Sequence, residues 1–109
     1  MNTDLFIDIA TINQWLDIAN AKIPEDSAMR VMKIGEEYGE AVQAYIGMTG
    51  QNPRKGITHT KDDLCNELAD VAITALCAIA YFNNNSPILV EGIMDDKIQV
   101  ILKRVRKSR

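Results

Sequence analysis

Only three prolines and six glycines interrupt this chain of 109 residues, and the prolines stand between stretches of helical periodicity. Proline inside a helix removes a donor and clashes with the preceding turn, and glycine weakens a helix through backbone entropy. So few breaks constrain the chain to long helices with a few short connections. The first helix is predicted from about Thr3 to Ala21, with Leu5, Ile9, Ile12, Leu16 and Ala19 at helical spacing. Pro24 fits the first turn of a second helix, with Glu25 and Asp26 at the positive end of its dipole, and this helix extends to about Ile46 or Gly47. Residues 47–59 hold three glycines and Pro53 and form the one clear loop. Thr60 with Asp63 resembles an N-cap pair, so a third helix starts near 61 and runs to about Phe82. Ser86 as N-cap and Pro87 at the first helical position open a fourth helix, to about Arg106.

The expected architecture is therefore one all-α domain over residues 1–109, an antiparallel four-helix bundle. A domain of this size buries a modest share of its surface. The segment from Val71 to Phe82 is apolar nearly all round, and such a helix sits centrally or against a partner. A homodimer or homotetramer is the natural way to cover it.

A composition of 47% hydrophobic and 25% charged residues is that of an ordered globular chain. The formal net charge of -3 supplies no global attraction to nucleic acid or to an anionic membrane. Charge is nevertheless uneven. The tail from Lys103 to Arg109 is basic and suits the C-terminal end of a helix dipole, while acids concentrate in residues 25–40 and 62–70. The N-terminus is polar, without the basic segment of a signal peptide. The apolar stretch Val71–Phe82 is shorter than the about 20 residues that cross a bilayer. Cys65 and Cys77 fall on one helix, about 18 Å apart at the usual helical rise, and read as buried free thiols of a cytoplasmic protein.

The chemistry lies in two acidic clusters. The second helix carries Glu36-Glu37-Tyr38-Gly39-Glu40 and the third carries Glu67-Leu68-Ala69-Asp70. At about 100° per residue Glu37 and Glu40 share a face, as do Glu67 and Asp70. In the second helix the apolar arc reads Val31, Ile34, Tyr38, Ala41, Val42 and Tyr45, with Glu37 and Glu40 at its edge. In the third, Glu67 and Asp70 flank Leu64 and Val71, and the strip continues through Thr74, Ala78 and Tyr81. Two antiparallel helices with such borders bring four carboxylates together. A divalent cation would relieve their repulsion, and all-oxygen ligands suit Mg²⁺ or Mn²⁺. Neutralisation by Lys33 or Arg30, or a solvated acidic face, is the alternative reading of the same spacing.

Glu36-Glu37-x-x-Glu40 followed after 26 residues by Glu67-x-x-Asp70 resembles the EExxE…ExxD signature of the all-α NTP pyrophosphatase superfamily, and within it the MazG-like nucleotide pyrophosphohydrolases. The likeness covers roughly residues 28–82, including Met32-Lys33-Ile34-Gly35 before the first motif and Asp70-Val71-Ala72 at the second. It implies a four-helix, oligomeric fold in which Glu37, Glu40, Glu67 and Asp70 hold Mg²⁺ and Glu36 orients water or supports the ligands. The implied reaction is attack of water at the α-phosphorus of a nucleoside triphosphate, giving NMP and pyrophosphate, with Glu36 or Glu37 accepting the proton. A narrower substrate such as dUTP, dCTP or phosphoribosyl-ATP lies within the same resemblance. A non-catalytic helical assembly is the reading from outside it.

Lys33, Arg54 and Lys55 are the candidate phosphate contacts, with Lys97 and Arg104 behind them. His59 reads as a loop or capping residue, with base or phosphate contact as the alternative. Trp15 and Tyr38 are expected in the core, Tyr81 and Phe82 in the bundle or a subunit interface, and Asn83–Asn85 at a helix end.

Overall fold

The computed structural model describes residues 3–21 and 26–108. Four α-helices form, and no strand occurs among the described residues: α1 (Thr3–Ala19), α2 (Asp26–Thr49), α3 (Lys61–Tyr81) and α4 (Pro87–Lys107). The all-α class is therefore established, with helix ends within a few residues of expectation. The expected start at Pro24 and Glu25 lies outside the described residues.

Local chemistry explains the boundaries. α2 runs two residues past Gly47 and stops where Gly50 takes φ +68°, a conformation that costs glycine least. Gln51 N–H then reaches back to the Ile46 carbonyl at 3.2 Å, and Thr49 Oγ1 donates to the Tyr45 carbonyl at 3.0 Å. α3 opens on a reciprocal capping box: Thr60 N–H donates to Asp63 Oδ2 at 2.8 Å and Asp63 N–H to Thr60 Oγ1 at 3.1 Å. The same backbone bond holds the Asp63 carboxyl below its usual range. Ser86 caps α4 by accepting from Leu89 N–H at 3.3 Å, with Pro87 next, and Arg104, Arg106 and Lys107 meet the negative end of that helix.

The chain divides into two compact units, residues 1–22 with 79–109 and residues 23–78. In the first, α1 packs on α4. The expected face of α1 is turned: Phe6, Ile9, Ala10 and Asn13 are buried, whereas Ile12 is exposed and Trp15 and Ile18 are 66% and 79% exposed. Asn13 explains the rotation. It is fully buried and donates from Nδ2 to Asn85 Oδ1, while Asn85 Nδ2 donates to Asp17 Oδ2 at 3.0 Å. A buried amide is tolerated only on the face where it finds partners. Asn85 reaches α1 from a turn in which it and Asn84 both adopt φ 55°, a left-handed conformation that Asn accepts more readily than most residues. Asn85 thus does more than end α3: it ties the α3–α4 turn to α1.

In the second unit α2 and α3 are joined by the loop 50–60 and meet at two places. Gly47 of α2 lies against His59 just before α3, and Glu37 meets Glu67 and Asp70 further along. The face that α2 buries also differs from the apolar arc. Its buried residues are Arg30, Ala41, Ala44 and Gly47, while Val31, Tyr38 and Tyr45 are exposed, Tyr38 by 61%. Where large apolar residues ring a helix, period alone does not choose the packed face. In α3 the strip of Leu64, Glu67, Val71 and Thr74 is half-buried as expected, and Leu76, Cys77 and Ala78 are buried, but Leu68 and Ile73 remain exposed.

Two further expectations need correction. α3 is, by length and composition, long and apolar enough to cross a membrane, a test that the core helix of a bundle also passes; counting from Val71 left out the apolar residues between its carboxylates. Cys65 is exposed, on the outer side of α3, and only Cys77 is buried; both are free thiols.

Candidate metal centre

The facing helices bring one carboxylate oxygen each from Glu37, Glu67 and Asp70 within 4.8 Å of one another. Glu37 and Glu67 belong to the half-buried strips of their helices, so both carboxylates are drawn partly out of water. Burial is the main reason that the Glu37 carboxyl is held above its usual range, followed by the charge of Glu40, with Lys33 opposing and Asp70 and Glu36 adding. The Glu67 carboxyl is raised in the same way, by burial first, then by the charges of Glu40 and Asp70, against the opposing charge of His59. Glu40 therefore borders the cluster through Glu67.

Glu67 Oε2 is buried without a hydrogen-bond partner. A buried carboxylate oxygen left unsatisfied is costly, and it is the feature that a bound cation would resolve. The donor set is all oxygen and spaced for one hard divalent ion, so the residues present fit Mg²⁺ or Mn²⁺.

The remaining sequence-selected residues divide. Glu36 points outward and pairs with Lys33 at 3.0 Å, a partly exposed pair whose Lys33 ammonium also lies 3.8 Å from Glu37. The hydrogen bond to Glu36 is the main cause that raises the Lys33 pKa. Arg30 does not serve as the neutraliser that its spacing suggested: its guanidinium is buried and held by Asp26 at 3.2 Å, and its charge acts on the Cys77 thiol, which burial pushes up. Arg54 is exposed in the loop.

A second feature lies on the same unit. A cavity of about 310 Å³ opens between the end of α2 and the loop, lined by Gln43, Ile46, Asn52, Lys55, Thr58 and His59 around Gly47. A Cβ on Gly47 would collide with the His59 ring and the Thr58 hydroxyl, so only glycine leaves room for them. Thr58 N–H donates to the Gly47 carbonyl at 2.9 Å, and Thr58 Oγ1 lies 2.8 Å from His59 Nδ1. Of the lining residues only Lys55 stood among the expected substrate contacts, with His59 as an alternative. Gln43 and Asn52 carry no signal in isolation, because an amide on a helix or in a turn is ordinary.

Compared with protein-family models, curated proteins and solved structures, the chain matches none.

Proposed function

We propose that this chain is a divalent-cation-dependent nucleoside triphosphate pyrophosphohydrolase of the MazG-like kind, working as a homodimer or homotetramer of antiparallel four-helix bundles. The observation that carries the reading is the meeting of Glu37, Glu67 and Asp70 from two helices around the unsatisfied Glu67 Oε2. The spacing that led to the resemblance selected these same acids. Glu37, Glu67 and Asp70 would hold the ion, with Glu40 beside them. When bound, it supplies neutralisation of phosphoryl oxygens and a lowered pKa for the attacking water.

The protein's own groups take the other tasks. Glu37, partly buried in the cluster, is the carboxylate placed to accept the proton as water attacks the α-phosphorus and pyrophosphate leaves. Glu36 acts at one remove, by positioning Lys33 beside Glu37. Lys33, beside Glu37, is the cation placed to meet the phosphates. The apolar residues that remain exposed, Trp15, Tyr38, Leu68 and Ile73 among them, support the oligomer. They also favour the second reading, a helical assembly without catalysis.

The deciding experiment measures pyrophosphate release from a panel of NTPs and dNTPs with Mg²⁺, alongside melting with Mg²⁺ and Mn²⁺, for the wild type and Glu67→Gln. Release and cation-dependent stabilisation that both disappear in the variant support the hydrolase. A folded protein showing neither is an assembly module.

A further inference from the structure

The cavity beside the acidic cluster has a lining that selects its ligand by hydrogen-bond polarity. Gln43 stands one helical turn beyond Glu40 and Gly47 two turns beyond it, about 5 to 10 Å along the axis of α2. His59 connects the two places, lining the cavity while its charge acts on Glu67. A ligand whose reacting phosphate sits at the carboxylates can thus extend its far end into this cavity.

A phosphate group is poorly matched to this stretch of the loop, because four of its backbone donors are already used. Arg54 N–H donates to Asn52 Oδ1 at 3.3 Å, Lys55 and Gly56 N–H both donate to the Asn52 carbonyl at 3.1 Å, and Thr58 N–H is taken by Gly47. What remains is the flat His59 ring, the apolar side of Ile46, two carboxamides and one ammonium. A flat face beside directional polar groups is the ordinary composition of a site for a planar heterocycle, and about 300 Å³ is the lower end of small-molecule sites.

The Asn52 amide is not free to present either edge. Its Oδ1 is engaged by Arg54 N–H, so its NH₂ group is the part left for a ligand, and Lys55 can only donate. Asn52 and Lys55 thus offer donors that match carbonyl oxygens on a bound ring better than amino groups, while the Gln43 carboxamide can serve either. We infer that this cavity is the nucleobase subsite of the enzyme and that it prefers oxo bases, uracil, thymine or guanine, over cytosine and adenine. The inference rests on the hydrolase reading for its substrate class and extends it to the base.

Two measurements keep the subsite separate from that reading. The first is kcat/KM for pyrophosphate release from UTP, GTP, CTP and ATP. The second is ligand-observed NMR binding of the free nucleosides uridine, guanosine, cytidine and adenosine, which carry no phosphate and need no cation. The wild type should favour the oxo bases at least about ten-fold, within what a few hydrogen bonds supply. Asn52→Asp keeps the acceptor for Arg54 N–H but replaces the donor with a second acceptor, and should move the preference towards cytosine and adenine. Lys55→Met should weaken uridine and guanosine binding while leaving the fold intact. Selective nucleoside binding without pyrophosphate release would support the subsite and remove the hydrolase. Equal rates with all four bases, or nucleoside binding that neither variant alters, would overturn the subsite. Absence of nucleoside binding, whatever the hydrolysis, would also overturn it.

Discussion

The imidazole of His59 occupies the space that a side chain on Gly47 would fill. α2 therefore has no Cβ where the loop folds back, and Thr58 N–H can close on the Gly47 carbonyl. Alanine at this position would improve helix propensity by about 1 kcal/mol but would force the His59 ring and Thr58 out of place. Overpacking of this kind costs about 1–3 kcal/mol. Gly47→Ala should therefore lower stability in urea unfolding and weaken nucleoside binding in the cavity; a more stable variant with unchanged binding would refute this account of the glycine.

The pH dependence of the metal-free protein follows from the acidic cluster. Glu37 and Glu67 both have folded pKa values above the ordinary 4.5. The folded state thus holds their protons more tightly than the unfolded state. Their contribution to stability is full below about 4.5 and is lost as pH rises through their folded values. Asp63 is shifted the other way, below 3.8, so its contribution is lost only as the pH falls below this window. With metal chelated, the melting temperature should fall as pH rises from about 4.5 towards neutrality, and saturating Mg²⁺ should remove the fall. A chelated protein whose melting is flat over this window, or a fall that Mg²⁺ leaves unchanged, would count against a cation site.

The two thiols should react at different rates. Cys65 is exposed, whereas Cys77 is buried and its thiol is pushed up by that burial, with Arg30 opposing. Thiolate is the reactive form, so iodoacetamide should modify Cys65 first and Cys77 only on unfolding. Mass spectrometry of a time course reads this directly, and equal labelling in the folded state would contradict the packing of α3.

Asn13 should be worth more than its polarity suggests. It is fully buried and donates to Asn85, which in turn donates to Asp17. Asn13→Ala strips this network and leaves part of Asn85 without its donor, at a cost of about 1–3 kcal/mol. Thermal unfolding of the variant should show the loss, and an unchanged melting temperature would mean that the turn between α3 and α4 is not anchored through this amide.

The elements that were legible in the sequence are those set by local chemistry. Thr60 with Asp63, Ser86 with Pro87 and the basic last turn of α4 each satisfy the ends of their own helices, and need nothing beyond neighbouring residues to do so. The three- and four-residue spacing of Glu37, Glu40, Glu67 and Asp70 is local in the same sense: it determines which acids share a helix face. Tertiary structure decided which face is packed. α2 turns Ala41, Ala44 and Gly47 inward in place of its larger apolar residues, Gly47 because the His59 ring fills the space a side chain would take, and α1 turns Asn13 inward because Asn85 is there to receive it. It also decided that Glu37, Glu67 and Asp70 meet while Glu36 stays with Lys33, and that Gln43, Asn52 and His59 enclose one cavity. Those relations join residues distant along the chain, and spacing along one helix carries no information about what faces it.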